Sequence, residues 1–502
     1  MDKKKSILNV TVSVGFKLII LVMSIWVRRN LIRACGNDVN GLNSLYLSII
    51  GFLAVAELGV GSAISFCMYR PIVEGDNEKV SALYQLFRKW YLGVGALMLI
   101  GGLALTPFIH VFAKDYAELD VNLYITFVLM LISVVLSYVF GAKSALINAY
   151  KNNYITTAIS SGGIVLQNIL QIIVLYATKS FEGYLSCRIV TVLVQWYITE
   201  QVTKKRYRNI ISVSASLDND TRQELSQKIR AMFIHKIGAL LVNTVDSIVI
   251  SVFIGVVALG EYSNYTAIQQ SMDGLLRLVF SSLASVIGHM YVMRGKDVAR
   301  KYHEVFHLGN FMLGLVFYLG YYAIIDDLIA ILFGENLVAV RTIPMVIAIN
   351  GFVQFMRSST LVFRDSTGTF YYDRWKPLVE GTMNIVLSVL LVKKIGVVGV
   401  IVATIITNLL LCHIIEPYVL YKNAFNHSVK KFYLRNYAMI LLFGGLMVMY
   451  QQLEVSAYGH WRNMLTNGTI SVAISIVACT VLVLLDRHTR ELILRRIKTW
   501  NH

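Results

Sequence analysis

The sequence has 502 residues, of which 56% are hydrophobic and 15% are charged, and only five are prolines. These proportions lie far outside the averages for soluble globular domains and exclude a soluble protein. The formal net charge of +17 would suit either a nucleic-acid ligand or a membrane surface, so the positions of the basic residues decide between the two. The composition predicts an integral membrane protein.

Apolar runs of about 20 residues, each long enough to cross a hydrocarbon core of roughly 30 Å, recur along the chain. Barrel strands would instead be about ten residues of alternating polarity. The run after MDKKK exceeds a signal-peptide core and lacks a small-residue cleavage site, so we expect a retained first helix. We predict an all-α membrane protein with about 14 transmembrane helices. Their predicted ranges are 7–27, 42–66, 90–112, 121–142, 155–177, 184–202, 231–254, 262–291, 308–333, 341–362, 378–395, 397–419, 433–451 and 467–485.

The basic residues follow the predicted topology. With the N-terminus in the cytoplasm and an even number of helices, both termini are cytoplasmic, and most of the 46 Lys and Arg residues fall on cytoplasmic segments. KKRYR at 204–208, RGKDVARK at 294–301 and LRRIK at 494–498 are the main clusters. The positive charge is therefore a positive-inside bias and predicts no nucleic-acid partner. The cysteines have no paired spacing, so neither disulfides nor a metal site is expected.

A polar interval divides the chain into two lobes. The linker at 203–230 contains SASLDNDTRQ and separates a six-helix lobe at 1–202 from a second at 231–425, followed by helices 13 and 14 with a basic tail at 426–502. The register that places Lys17 on Lys236 also places Gly41 on Gly260. The predicted repeat is parallel, because six helices separate equivalent positions. Paired lobes with a midplane site are a recurrent plan of secondary transporters.

Charged residues lie within several predicted helices, where each costs roughly 2.5 to 3.5 kcal/mol at the bilayer centre. Helical spacing aligns Lys17 with Arg28 and Asp273 with Arg277, which indicates one-sided polar stripes. A basic cavity with too few acids would bind an anion such as diphosphate. The candidate diphosphate ligands are Lys17, Lys236, Arg277, Arg357 and Arg28, and the candidate cation-coupling or charge-tuning acids are Glu57, Asp246, Asp273 and Glu380. Structural pairing stays open for each acid, and Asp273 and Arg277 at i, i+4 spacing could simply neutralise each other.

Motifs for enzymatic chemistry are missing from the sequence. The Gly295-Lys296 pair lacks the glycine spacing of a phosphate-binding loop, and the histidines lack metal-ligand spacing. We therefore predict a protein that is not an enzyme and has no cofactor.

Four segments resemble the polysaccharide biosynthesis transporters, the Wzx-type oligosaccharide flippases. They are GLNSLYLSIIGFLAVAELGVGSAI at 41–64, HKIGALLVNTVDSIVISVFIGVVALGEYSNYTAI at 235–268, KPLVEGTMNIVLSVLLVKKIGVVGVIVATIITN at 376–408 and EPYVLYKNAFN at 416–426. That family belongs to the MOP superfamily, with the lipid II flippases and MATE exporters. The resemblance implies twelve core helices in two lobes plus helices 13 and 14, and a basic central cavity.

The resemblance also implies the activity: alternating-access transport of undecaprenyl-diphosphate-linked oligosaccharide repeat units across the plasma membrane for capsule, O-antigen or exopolysaccharide synthesis. A polysaccharide polymerase and a chain-length regulator are the implied protein partners, and we expect a monomer. The alternatives are a lipid II flippase and a MATE-like cation-coupled exporter. Arg28-Arg29 does not reproduce the Arg-Asp pair that lipid II flippases carry near the end of helix 1, and a MATE exporter would need an acidic or apolar cavity.

Overall fold

A computed structural model of the chain describes residues 3–54, 60–211 and 244–485. Within these ranges the chain is helical and contains no strand. Eight of the described segments are long and apolar enough to cross a membrane. The protein is therefore an all-α, multi-pass membrane protein, as the sequence predicts.

The chain divides into two compact units, Met1–Gly260 and Glu261–His502. The described helices of eight residues or more whose ranges begin in the first unit are α1 Lys3–Cys35, α2 Asn37–Leu53, α3 Val60–Glu74, α4 Asn77–Leu105, α5 Leu123–Ala149, α6 Asn153–Thr178, α7 Phe181–Arg206, α8 Thr244–Phe253 and α9 Val256–Arg294. Those that follow are α10 Lys296–Leu332, α11 Thr342–Ser366, α12 Lys376–Thr407, α13 His413–Leu420, α14 Lys430–Gln451 and α15 His460–Leu485.

In the first unit, α1 packs on α6, and α5 packs on both α4 and α7. Polar caps start three of these helices. Asp76 accepts a hydrogen bond from the Lys79 amide at α4, Asn122 caps α5, and Ser180 accepts one from the Gly183 amide at α7. Each cap satisfies amide groups that the first helical turn leaves without a partner.

Most predicted helices overlap described ones, although several ends differ. The second predicted helix, 42–66, instead falls on both α2 and α3, with residues 55–59 outside the described ranges. The third predicted helix begins at residue 90, whereas α4 begins at Asn77, and α10 begins at Lys296 instead of residue 308. Polar residues continue these helices beyond their apolar sections, so hydropathy marks the membrane-crossing part and not the helix end. The predicted break between helices 11 and 12 is confirmed, because Ile395 and Gly396 interrupt α12 with non-helical backbone angles.

Helix α12 is therefore a helical hairpin. Gly396 adopts a positive φ of 61°, which favours glycine. At Gly399 an added Cβ would lie 2.4 Å from the Leu391 carbonyl oxygen, so the turn also requires a residue without a side chain. The Asn384 amide donates to Thr404 Oγ1 at 2.7 Å and joins the two limbs. The helical path continues through π-helical turns on either side of α13 to Phe425.

Helix α8 and the first turn of α9 belong to the first compact unit, although the sequence assigns them to the second lobe. Ser251 Oγ donates to the Phe112 carbonyl at 2.7 Å. The start of α9 crosses α2 so closely that a Cβ on Gly41 would lie 1.9 Å from the Val256 carbonyl oxygen. Residues 212–243 are outside the described ranges, so the division at the linker stays a prediction.

The second unit is built around α10, which packs on both α11 and α15. Helix α15 presents a polar stripe of Asn463, Asn467, Ser471 and Ser475, all of them buried. Asn467 exchanges two hydrogen bonds of 2.9 Å with the Val455 backbone and so fixes the connection from α14. Helices α14 and α15, predicted as the two C-terminal additions, are thus part of this compact unit.

Candidate functional site: a buried ion-pair cluster

Four charged side chains meet inside the second unit, which we call the ion-pair cluster: Arg357 of α11, Lys376 and Glu380 of α12, and Glu416 of α13. Arg357 Nη2 donates to Glu416 Oε1 at 2.6 Å and Nε donates to Oε2 at 3.1 Å. Arg357 Nη1 also lies 3.2 Å from Glu380 Oε1. Lys376 Nζ donates to Glu380 at 2.8 Å and to Glu416 at 2.5 Å. Each cation therefore contacts both acids.

The cluster is withdrawn from solvent and electrically balanced. The exposed fraction of the side chain is 14% for Arg357, 6% for Glu380, 4% for Lys376 and 1% for Glu416. Two positive and two negative groups neutralise one another, and Asn408 Oδ1 accepts a further hydrogen bond from Arg357. A charge buried to this extent persists only when it is paired and hydrogen-bonded. The pairing keeps both cations charged inside the protein.

Local sequence explains how these residues meet. Lys376 and Glu380 stand four residues apart in the first turns of α12 and share one helix face. Pro377 occupies a position at the start of the helix where a missing amide hydrogen costs nothing. The hairpin of α12 then returns the chain, so that Glu416 on α13 faces the same place.

A second buried ion pair holds the turn between α11 and α12. Arg364 Nη1 donates to Asp373 Oδ2 at 2.6 Å, with side chains 8% and 1% exposed. Arg364 also contacts Asp365 at 3.0 Å. The turn displays the exposed aromatic residues Phe370, Tyr371, Tyr372 and Trp375. The pair therefore fixes a turn whose outer surface is aromatic.

Two of the predicted site residues, Arg357 and Glu380, are brought together in the ion-pair cluster. Two others, Asp273 and Arg277, lie on α9. Asp273 accepts a hydrogen bond from Tyr318, and the Arg277 side chain is exposed and acts on Asp273 electrostatically. Asp273 therefore has a hydrogen-bond partner on α10 that its spacing from Arg277 did not predict.

The remaining predicted residues are in the first unit or outside the described ranges. On α1, Lys17 is exposed and Arg28 is half-buried. Asp246, on α8, is half-buried and takes part in a polar or electrostatic interaction. Glu57 and Lys236 lie outside the described residues, so their proposed roles stay predictions.

Sequence reasoning missed Lys376 and Glu416, the other half of the ion-pair cluster. Lys376 precedes the apolar run predicted as residues 378–395, and Glu416 lies near the end of the following run. The i, i+4 spacing of Lys376 and Glu380 was a usable signal. Nothing in the sequence pairs Glu416 with Arg357, because 59 residues separate them.

A third group of charges joins the loops at the end of α10. Arg341 donates to Asp326 and to Glu454. Burial raises the pKa of the Glu454 carboxyl more strongly than nearby Arg341 lowers it. Burial acts to lower the pKa of Arg341, but Asp326 and Glu454 outweigh it and raise that pKa above its usual value. The surroundings therefore disfavour the charged form of Glu454 and favour the charged form of Arg341.

The ion-pair cluster has the chemistry of an exchangeable charge site. Its guanidinium and ammonium groups could bind an oxyanion if their ion pairs with a carboxylate broke. Without an oxyanion, the same groups donate hydrogen bonds to the two carboxylates. Among the described residues there is no group of three or more His, Cys, Asp or Glu side chains able to hold a metal ion.

Solved structures share this fold. The structure described as "Lipid II flippase MurJ, inward closed conformation" matches with a TM-score of 0.66 at 14% sequence identity, covering 97% of this chain and 100% of that chain. An inward-facing multidrug resistance MATE family transporter of the MOP superfamily matches with a TM-score of 0.62 at 14% identity, covering 82% of this chain and 97% of that chain. No protein-family model matches the sequence, and no curated protein does. The chain therefore has the same fold as these two solved structures.

Proposed function

We propose that this protein is a flippase that moves undecaprenyl-diphosphate-linked oligosaccharide repeat units across the plasma membrane for surface polysaccharide synthesis. The observation that carries the proposal is the likeness to MurJ, a lipid II flippase, over 97% of this chain. The four sequence segments that resemble oligosaccharide flippases favour an oligosaccharide carried on a lipid diphosphate as the cargo.

Cationic side chains would recognise the diphosphate. Lys17 and Arg277 have exposed side chains, and Arg28 is half-buried, so the described members of the predicted set include cations that an incoming anion can approach. Lys and Arg bind phosphate oxygens through charge-assisted hydrogen bonds. We assign Lys17, Lys236, Arg277 and Arg28 to the diphosphate. The sugars would occupy hydrated space while the polyprenyl tail stays in lipid.

Arg357 would have a conditional role. Arg357 forms ion pairs with both Glu416 and Glu380, so it would bind a phosphate only after one of these ion pairs breaks. Glu380 is therefore proposed as a charge-tuning residue that competes with substrate for Arg357. Glu57, Asp246 and Asp273 are proposed for charge tuning or cation coupling because they fall within helices that the sequence predicts to cross the membrane.

The proposed transporter works in the plasma membrane with both termini in the cytoplasm, as a monomer, without a cofactor and without enzymatic chemistry of its own. A polymerase and a chain-length regulator would act on the polysaccharide after transport. An alternating-access cycle would expose the cargo first to the inner and then to the outer side, where binding must weaken for release.

Lipid II is the second candidate cargo, and the likeness to MurJ is the specific observation that favours it. Lipid II flippases and oligosaccharide flippases both carry an undecaprenyl diphosphate, so the two candidates share the basic site and differ in the sugar. The Arg28-Arg29 pair speaks against lipid II, because lipid II flippases carry an Arg-Asp pair there.

Deletion of the gene in the source cell, followed by lipid and polysaccharide analysis, tests the proposal. The expected result is loss of one surface polysaccharide with accumulation of its lipid-linked repeat unit, while cell-wall synthesis continues. Accumulation of lipid II with arrested cell-wall synthesis would overturn the oligosaccharide assignment in favour of the second candidate. Normal levels of both lipid-linked pools would overturn both.

A further inference from the structure

A pocket of about 390 Å³ lies in the second unit, between the helical path that contains α13, residues 408–425, and the start of α14. This volume falls within the usual range of small-ligand sites. Lys422 lines the pocket from the helical path and Lys430 lines it from α14. None of the residues that line the pocket is acidic. We call this feature the basic pocket.

A hydrogen-bonded turn shapes the basic pocket. Asn426 ends the helical path with a positive φ of 53°, a conformation that asparagine adopts more readily than most residues. The His427 amide donates to the Tyr421 carbonyl at 3.0 Å. The His427 ring nitrogen Nδ1 donates to the Ser428 carbonyl at 3.2 Å, because a carbonyl oxygen only accepts. These bonds fix the wall that carries His427 and Ser428.

The helical path changes from apolar to cationic as it approaches the basic pocket. Leu410, Ile414, Tyr418 and Lys422 follow one another at intervals of four residues, and all four are exposed. Lys422 Nζ donates to the Tyr418 hydroxyl at 3.1 Å, so these two side chains share a face. Exposed apolar residues on a membrane helix contact lipid tails, whereas tyrosine and lysine mark the head-group level. The basic pocket therefore lies where lipid tails give way to head groups.

Helix α14 shows the same change beside it. Leu434 and Leu441 are 77% and 76% exposed, and Lys430 stands one helical turn before Leu434. The Tyr433 hydroxyl donates to the Ile414 carbonyl at 2.6 Å and joins α14 to α13 at this level. Two neighbouring apolar faces thus lead to lysines on opposite sides of one pocket.

The charges around the basic pocket favour an anion. Glu304 is the acid that acts electrostatically on Tyr421 in the pocket wall, and Arg300 neutralises it through an ion pair of 2.6 Å. Arg435 also acts on Tyr421. Lysine ammonium groups bind phosphate oxygens through charge-assisted hydrogen bonds, and the Ser428 hydroxyl can donate a further one.

The apolar faces decide which anion fits best. A free phosphate would use the lysines alone, whereas a phospholipid would also place its acyl chains against Ile414 and Leu434. A zwitterionic lipid brings an ammonium group that the lysines repel. With both termini in the cytoplasm, as proposed above, the segment between predicted helices 12 and 13 is cytoplasmic, and anionic lipids make the cytoplasmic membrane surface negative.

We propose that the basic pocket binds the phosphate head group of an anionic glycerophospholipid of the cytoplasmic leaflet, with Lys422 and Lys430 as its ligands. The bound lipid bridges the end of the helical path and the start of α14, and so stabilises the attachment of the C-terminal helices. This site goes beyond the proposed function and is independent of the transported cargo.

Native mass spectrometry of the full-length protein, stripped of lipid in detergent, tests the site. The probes are phosphatidylglycerol and phosphatidylcholine with identical acyl chains. We expect one phosphatidylglycerol per chain to bind about tenfold or more tightly than phosphatidylcholine, because two lysines act on its charge. Phosphatidylglycerol should also raise the melting temperature of the protein, since it binds the folded state. Equal binding of the two lipids would overturn the proposal.

Lys422→Gln combined with Lys430→Gln should weaken phosphatidylglycerol binding by about tenfold or more. Both lysines are exposed, so their loss breaks no buried ion pair. Lys393→Gln combined with Lys394→Gln is the matched control, because it removes two exposed charges at the hairpin turn of α12. Ser428→Asp, which places a carboxylate in the pocket, should also weaken binding. Equal affinities in the two double variants would contradict the pocket as the site.

Competition identifies the occupant. Inorganic phosphate in large excess should leave phosphatidylglycerol bound, and displacement would reassign the basic pocket to a free phosphate. Tighter binding of undecaprenyl diphosphate than of phosphatidylglycerol would make the pocket a cargo site and overturn the membrane-lipid assignment.

Binding is measured without transport, which separates this proposal from the proposed function. A protein that prefers phosphatidylglycerol through Lys422 and Lys430 but does not flip the oligosaccharide supports the lipid site and contradicts the proposed cargo. An active flippase without this preference retains the proposed function and overturns the lipid site.

Discussion

Glu416 accepts two parallel hydrogen bonds, of 2.6 and 3.1 Å, from one edge of the Arg357 guanidinium. The same Glu416 also accepts from Lys376, so one carboxylate with 1% of its side chain exposed holds two cations. Removing one partner of such a group leaves a buried charge without compensation, whereas removing opposite charges together does not. Glu416 is therefore the residue on which the cluster depends most.

Glu416→Gln is expected to destabilise the protein by about 3–5 kcal/mol, the usual cost of breaking a buried pair from one side. Glu416→Gln combined with Arg357→Gln is expected to cost less than the sum of the single changes. The measurement is thermal unfolding of the purified protein in detergent. Glu74→Gln is the control, because the Arg70–Glu74 pair is exposed by 87% and 51% and should contribute about 0–1 kcal/mol. Equal effects at the two acids would contradict a structural ion-pair cluster.

Gly41 should tolerate no side chain at all. A Cβ there would lie 1.9 Å from the Val256 carbonyl oxygen and 2.8 Å from the Gly260 amide nitrogen, both of them backbone atoms of α9. Gly41→Ala is therefore expected to lower the melting temperature. Gly93→Ala, on α4 with open space around it, should instead raise stability by up to about 1 kcal/mol through helix propensity. A neutral Gly41→Ala would show that α2 and α9 do not meet this closely in the protein.

Hydropathy predicted most of the helices because few backbone conformations are stable in a segment that spans lipid. A chain that crosses the bilayer must satisfy its own backbone groups, so each long apolar run becomes a helix. The end of α10 at Leu332 agrees with the predicted end at 333, but its start at Lys296 could not be read from hydropathy. Residues 296–307 interleave charged and apolar side chains, so they form no continuous apolar run although they are helical.

Two of the four residues of the ion-pair cluster were predicted from the sequence. Arg357 and Glu380 stand out because ionisable residues in apolar runs are rare and costly. Their mutual contact depends on the α12 hairpin, which brings together residues far apart in sequence. Asp273 shows the opposite case, since local spacing suggested Arg277 as its partner and tertiary structure supplied a hydrogen bond from Tyr318. Spacing along one helix cannot reveal a partner on another.

Glu454 should make the protein less stable as the pH rises. Burial raises the pKa of this loop carboxyl despite nearby Arg341, so the folded state retains its proton at pH values where the unfolded chain, with a pKa of about 4.3, has lost it. The contribution of Glu454 to stability is therefore greatest at low pH and falls as the pH rises from 4.3 through the raised pKa. Over this pH interval, the melting temperature of Glu454→Gln should rise relative to that of the unchanged protein, because the variant lacks the group that loses stability. A variant whose melting temperature keeps a constant difference from that of the unchanged protein, or falls relative to it as the pH rises, would contradict the raised pKa.

Arg341→Gln gives the complementary result, because it leaves both Asp326 and Glu454 without their cation. Its melting temperature should fall well below that of Glu454→Gln at neutral pH. Arg462→Gln is a suitable control, since that guanidinium stacks on the Tyr458 ring at 4.1 Å in the same region. If both arginine changes had the same effect, general loss of surface charge would explain the result and the Arg341 group would not be structural.

Flipping of a fluorescently labelled undecaprenyl-diphosphate-linked oligosaccharide in proteoliposomes measures the proposed transport itself. The protein should move this lipid faster than protein-free vesicles do, with lipid II and an organic cation as comparison cargoes. Lys17→Gln together with Lys236→Gln should reduce the rate by about tenfold or more, because each lysine supplies a charge-assisted contact to the diphosphate. Movement no faster than in protein-free vesicles would contradict the proposed transport, and an unchanged rate in the double variant at equal protein content would contradict the diphosphate site at the two lysines.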